Sequence, residues 1–174
     1  MDPLHPDTPA ARLIRALDLR PHPEGGHYRE TWRGDPPDAA GGGVDEGGAG
    51  GSGAGGFGGG GRGVGTAILF LLAAEEHSHW HRVDADELWI WQAGGPLVLT
   101  TSPDGHDAEA RWLGPDPAAR QSLHLAVPRG HWQTAASLGR WTLCTCVVAP
   151  AFRFEGFELA PPDWRPVPRG TGGG

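Results

Sequence analysis

The sequence predicts an all-β fold, and three observations carry that prediction. About nine short apolar or alternating segments follow one another, separated by turn signals at the spacing typical of sandwiches and barrels. Only one stretch has a helical pattern. The one long interruption, residues 41–65, holds 16 glycines in 25 positions, too little apolar side chain to offset chain entropy.

The helical stretch comes first. Thr8-Pro9 precedes AARLIRALDL, which places Thr8 as N-cap and Pro9 in the first turn. Leu13, Ile14 and Leu17 then fall on one face, so this is a short amphipathic helix. PHPEGG stops it, and GHYRETW reads as a strand leading into the glycine-rich insertion. After the insertion come TAILFLL, SHWHRV, DELWIW, PLVLTTS, EARWL, SLHLAV, HWQTAAS and WTLCTCVVA. SHWHRV and DELWIW are separated by a tight turn near Asp84-Ala85, so they read as a hairpin. The other breaks are SPDG, GPDP, PRG and LGR, all rich in turn residues. Residues 8–160 form the single expected domain, with a disordered N-terminus at 1–7, a disordered insertion at 41–65 and a disordered tail at 161–174.

Charge and composition narrow the function classes. The chain carries 14 basic and 21 acidic residues, a formal −7, with no basic cluster, so nucleic acid is not an expected partner. The longest apolar run, AILFLLAA, is far short of a bilayer span, and no secretory signal opens the chain, so a cytoplasmic protein with no membrane partner is expected. Cys144 and Cys146 stand at i and i+2, side by side on a strand and poorly placed to bridge, so they read as small buried residues. In DELWIW, an inward Glu87 takes Trp89 and Trp91 with it, leaving apolar Leu88 and Ile90 outside. That outer face needs covering by the helix or a second subunit, and a homodimer is expected.

Chemistry concentrates in SHWHRVDADELWIWQAGG. On a regular strand His79 and His81 share a face, and the turn returns Glu87 beside them. Two imidazoles and a carboxylate suit a divalent Fe, Mn, Ni or Zn ion; the alternative is a polar core in which these groups satisfy one another. Arg29 in GGHYRE is a further candidate, as an anion contact, and Trp89 and Trp91 could stack on a ligand.

The residues also resemble a family. His79-Trp80-His81, then Glu87, then Gly94 is similar to the first motif of the cupin superfamily, and VPRGHWQ to the second. PHPEGGHYRETWR, TAILFLL, LGPD, VPRGHWQTA and TLCTCVVAPAFRFEGFELA, taken with that first motif, resemble one branch more closely, the Cupin 5 family. The resemblance implies a double-stranded β-helix, the cupin jelly roll, commonly dimeric, binding a small polar ligand, sugar-like or carboxylated, inside its barrel. Two departures bear on the chemistry. Five residues separate His81 from Glu87, more than the general metal-binding pattern has, and Gln133 stands where that pattern has histidine, with His131 two residues earlier as a possible substitute. Three readings stay open: an isomerase or epimerase with His81 as base, tuned by Glu87, with Tyr28 as donor and no certain cofactor; a metal-dependent enzyme using His79, His81 and Glu87; and a non-catalytic ligand-binding or sensing module. Gln133, Trp89, Trp91, Arg29 and His131 are the expected ligand contacts.

Overall fold

The computed structural model describes residues 4–34, 36 and 61–169; most of the glycine-rich insertion and the last residues of the tail lie outside them. The helix α1 spans Pro9–Ala16, with Thr8 Oγ1 accepting from the Ala11 N–H and Pro9 in the first turn. The strands are β1 (Arg20–Pro21), β2 (His27–Arg33), β3 (Thr66–Ala73), β4 (His77–Val83), β5 (Asp86–Gly94), β6 (Leu97–Ser102), β7 (Glu109–Leu113), β8 (Gln121–Ser122), β9 (His124–Val127), β10 (Trp132–Ser137), β11 (Trp141–Ala149) and β12 (Phe157–Leu159). They form two six-stranded sheets, in the orders β1-β2-β3-β11-β5-β9 and β12-β4-β10-β6-β7-β8. All pairings are antiparallel except β7 with β8. This is the expected jelly roll, with β1, β12 and the split of SLHLAV at Leu123 added to the nine segments seen in the sequence.

One pairing differs from expectation. β4 and β5 are not a hairpin: β4 pairs with β10 and β12, whereas β5 pairs with β11 and β9. The chain therefore turns a corner at Asp84-Ala85 and crosses from one sheet to the other. His81 and Glu87 are borne by opposite sheets rather than by neighbouring strands.

The space between the sheets is filled at one end. Phe70, Leu72, Trp89, Leu97, Leu99, Leu113, Leu125, Cys144 and Cys146 pack there, with Trp91 at the margin. A second cluster lies on the outside of β3 and β11, where Leu13 and Ile14 of α1 and Leu17 at its C-cap cover Leu69, Leu71, Leu143 and Trp141. The helix thus seals β3 and β11, while Leu88 and Ile90 on β5 are half-buried on the outer face.

Residues 161–169, where the sequence shows no element, are packed against the second sheet. Trp164 stacks on Trp132 at 4.3 Å and meets Trp80 edge-on at 5.7 Å. The Val167 N–H donates to the Gly105 carbonyl, and Arg169 pairs with Asp104. A tryptophan can anchor irregular chain by ring contact alone, so the segment needs no periodic pattern to be held. At the N-terminus, Leu4–Asp7 likewise contact the helix, with Arg15 donating to the Pro6 carbonyl.

The loop between β1 and β2 places a carboxylate that the alternation rule does not reach. His22 donates its N–H to the Gly26 carbonyl and accepts from the Gly25 N–H, which closes the loop tightly. Gly25 has φ +108°, and a Cβ there would lie 2.4 Å from the His77 carbonyl oxygen. A Gly25→Ala protein should lose roughly 2–4 kcal/mol, from backbone strain and from displacement of β4. Urea unfolding measures it; a loss below about 1 kcal/mol would show that the loop can shift freely.

Candidate functional site

The unfilled end of the barrel is a cavity of about 460 Å³. His22 and Glu24 from the β1–β2 loop, Tyr28 and Arg33 from β2, His81 from β4, Glu87 and Trp89 from β5, and Cys146 from β11 all line it. Ile68 and Phe70 of β3 and the segment from Phe152 to Phe157 contribute further wall.

Glu24 and His81 make the central contact. Glu24 Oε2 lies 3.2 Å from His81 Nε2, and the two side chains are 7% and 2% exposed. The other ring nitrogen of His81 is fixed: Nδ1 lies 2.8 Å from the His79 carbonyl oxygen, which can only accept, so Nδ1 carries a proton. Nε2 is then the accepting nitrogen of the neutral ring. Burial lowers the His81 pKa to about 4, and burial, reinforced by nearby Glu87, pushes Glu24 well above the usual carboxylate range. The contact is therefore a neutral carboxyl donating to a neutral imidazole, with a single proton between them. His22 stands beside them, its Nδ1 3.4 Å from Glu24 Oε2 and its pKa lowered to about 4 by burial. Tyr28 lies edge-on to His22 at 4.5 Å.

Glu87 belongs to a separate chain of bonds. Trp89 Nε1, which can only donate, gives a hydrogen bond to Gln133 Oε1 at 3.0 Å. That fixes the amide, so Gln133 Nε2 donates to Glu87 Oε2 at 2.6 Å. Burial raises the Glu87 pKa to about 7, opposed by hydrogen bonds from Gln133 and the Cys146 thiol.

Several residues fall elsewhere than the sequence suggests. His79 does not join His81. The β4–β10 register shifts between Gln133 and Ala135, and this irregularity buries Ser78 with His81 and leaves His79 aside. The His79 ring instead meets the Ala160 and Pro161 carbonyls at 3.1 and 3.0 Å. The two-histidine, one-glutamate set is thus not assembled, and among the described residues no three His, Cys, Asp or Glu side chains are arranged to hold a metal ion. The carboxylate touching His81 is Glu24 rather than Glu87. Arg29 does not line the cavity: it alternates with Tyr28 and Glu30, which do, and the register shift between Glu30 and Trp32 then brings the half-exposed Arg33 to the cavity's rim. Gln133 acts through Glu87, being 1% exposed behind it. Trp91 lies at the filled end, donating to the Gly95 carbonyl. His131 precedes β10 in the Pro128 turn, so strand alternation does not govern it, and it does not line the cavity. Trp89, Tyr28, His81 and Glu87 all line the cavity. Glu24 and His22 were missed as cavity residues; the only signal was a carboxylate pressed against two glycines in PHPEGG.

A family model described as Cupin superfamily (DUF985), Cupin_5, matches residues 11–160. The chain belongs to the Cupin_5 family. A crystal structure of a Shewanella oneidensis protein resembles this Cupin_5 chain with a TM-score of 0.69 and 31% identity, over 87% of this chain and 84% of that one. A hypothetical protein from Leishmania major gives a TM-score of 0.69 and 28% identity, over 87% and 86%. No functionally curated protein matches this Cupin_5 chain. No helix among the described residues is long and apolar enough to cross a membrane.

Proposed function

We propose that this Cupin_5 barrel binds a small polar ligand, sugar-like or carboxylated, and moves a proton on it, chemistry of the isomerase or epimerase class. The Glu24–His81 contact inside the cavity carries the reading. A carboxyl and an imidazole sharing one proton can pass it between them with no exchange with solvent; burial favours the neutral arrangement, so the ion-pair form is the minor and reactive one. Moving the proton to His81 leaves a carboxylate facing the ligand, able to take a proton from a C–H beside a carbonyl. Returning it regenerates the resting pair, so the cycle is neutral in protons and needs no electron acceptor. Tyr28, on the same wall as His22, is the candidate donor to the ligand oxygen. No step runs through a metal, because His79 is turned to the Ala160 and Pro161 carbonyls.

Incubating the protein in deuterium oxide with a panel of sugar nucleotides and 2-keto acids tests this by proton NMR. Deuterium should enter one carbon of a bound ligand. Glu24→Gln and His81→Asn should each slow that entry by roughly 10²–10⁴-fold, the usual contribution of a positioned acid–base group. Ligand binding without exchange, unaltered in both variants, would leave a binding module in place of an enzyme.

A further inference from the structure

We propose that the ligand of this cavity carries a protonated amine. The inference rests on the barrel being a ligand site, as above, and names the charge of what it takes. Most of the charge on the cavity wall is either paired or held at the exposed rim, and one deeply placed acid is neither. Glu24 and His81 hold one proton between them at 3.2 Å. Arg33 grips Glu30 with two bonds, Nε to Oε1 at 3.0 Å and Nη2 to Oε2 at 2.6 Å. Arg153 and Glu155, of opposite sign, stand two residues apart at the exposed rim. His22 faces Glu24 and takes that residue's backbone N–H on Nδ1.

Glu87 is the group left over. It is 7% exposed, and its polar neighbours are all uncharged or acidic: the Gln133 amide, the Cys146 thiol and the nearby Glu24. Among the described residues no arginine forms an ion pair with it. An ionised Glu87 therefore has no counterion until a ligand brings one. This favours the sugar-like over the carboxylated class proposed above, since an anionic group placed beside Glu87 would meet no cation at this depth and would add a second uncompensated negative charge.

The walls suit the same guest. Tyr28, Phe70, Trp89 and Phe157 surround the space, and Phe70 meets Trp89 edge-on at 5.6 Å. Aromatic faces attract ammonium groups through the ring quadrupole, most strongly where water is excluded. A carboxyl with aromatic neighbours gives an amine both a charge partner and a desolvated wall. It gives a hydroxyl in the same place only a hydrogen bond.

Isothermal titration with three sugars of one ring frame separates the possibilities: D-glucosamine, D-glucose and D-glucuronate, with benzylamine and benzyl alcohol as a second, non-sugar pair. The expected result is that each amine binds tighter than its hydroxyl counterpart by roughly tenfold or more, the scale of one desolvated cation contact. Near neutral pH the amines should also release a proton from Glu87, seen as a binding heat that varies with the ionisation enthalpy of the buffer. Glu87→Gln, nearly isosteric and still able to accept from Gln133, should abolish the proton release and bring each amine down to the affinity of its hydroxyl counterpart; circular dichroism confirms its fold. Equal or tighter binding of glucose or glucuronate overturns the proposal, as does a preference that survives Glu87→Gln, or no amine binding at millimolar concentration. The two readings fail separately. An amine preference without deuterium exchange removes only the proton-transfer chemistry, and exchange without an amine preference removes only this inference.

Discussion

Truncating Trp89 to alanine is expected to cost about 3–5 kcal/mol of folding stability, the range for removing a buried aromatic side chain. The indole is 1% exposed and sits where the packed end of the barrel meets the cavity. Its loss removes the contact with Phe70 and leaves Gln133 Oε1 buried without its donor. The amide is then free to turn, and Glu87 loses the oriented partner that holds Oε2. Urea unfolding with an unchanged denaturant slope measures the first effect. A loss under about 1 kcal/mol would mean that this end of the barrel is loosely packed. Trp89→Phe separates the two contributions, keeping most of the ring volume and removing only the N–H.

The second large effect is a dependence of stability on pH that belongs to Glu87. Its folded pKa of about 7 lies above the usual 4.5. Below pH 4.5 the carboxyl is protonated in both the folded and unfolded chains, and its contribution is fully present. As pH rises towards 7 the unfolded chain ionises first, and the contribution is lost; the full difference is roughly 3 kcal/mol. His22 and His81 act in the opposite sense. Their pKa values, lowered to about 4, give a contribution present above 6.5 and lost as pH falls through 4. The wild-type profile is therefore partly cancelled, and the informative quantity is the difference from Glu87→Gln. Between pH 4 and 8 the stability of the variant relative to wild type should rise by roughly 3 kcal/mol. A flat difference would show Glu87 to be solvated or already paired.

The fold was legible because strand alternation and turn chemistry are local. TAILFLL, PLVLTTS and WTLCTCVVA each became β-strands where their patterns place them. Four of the residues singled out from the sequence, His81, Glu87, Trp89 and Tyr28, lie on the cavity wall. The sequence misplaced residues wherever alternation broke. His79 lies at the β4 irregularity and Arg33 beyond the one in β2, and no residue type announces either shift. Glu24 was passed over for a different reason. Its role depends on a tight loop meeting the middle of a strand distant in sequence, through the 2.6 Å bond from the His79 N–H to the Glu24 carbonyl. Local pattern says nothing about such a meeting. The corner at Asp84-Ala85 misled similarly, since a short turn between two strands reads as a hairpin whether or not the strands pair.

That corner has a mechanical consequence. With one acid on the sheet of β5 and the imidazole on the facing sheet, their separation is set by the thickness of the sandwich and not by any single loop. A substitution that swells the leucine-rich end, such as an enlarged residue at Leu97 or Leu99, would lever the sheets apart and retune the distant opening without touching it. Volume at the sealed end is in that sense an adjusting screw for the guest that the open end accepts.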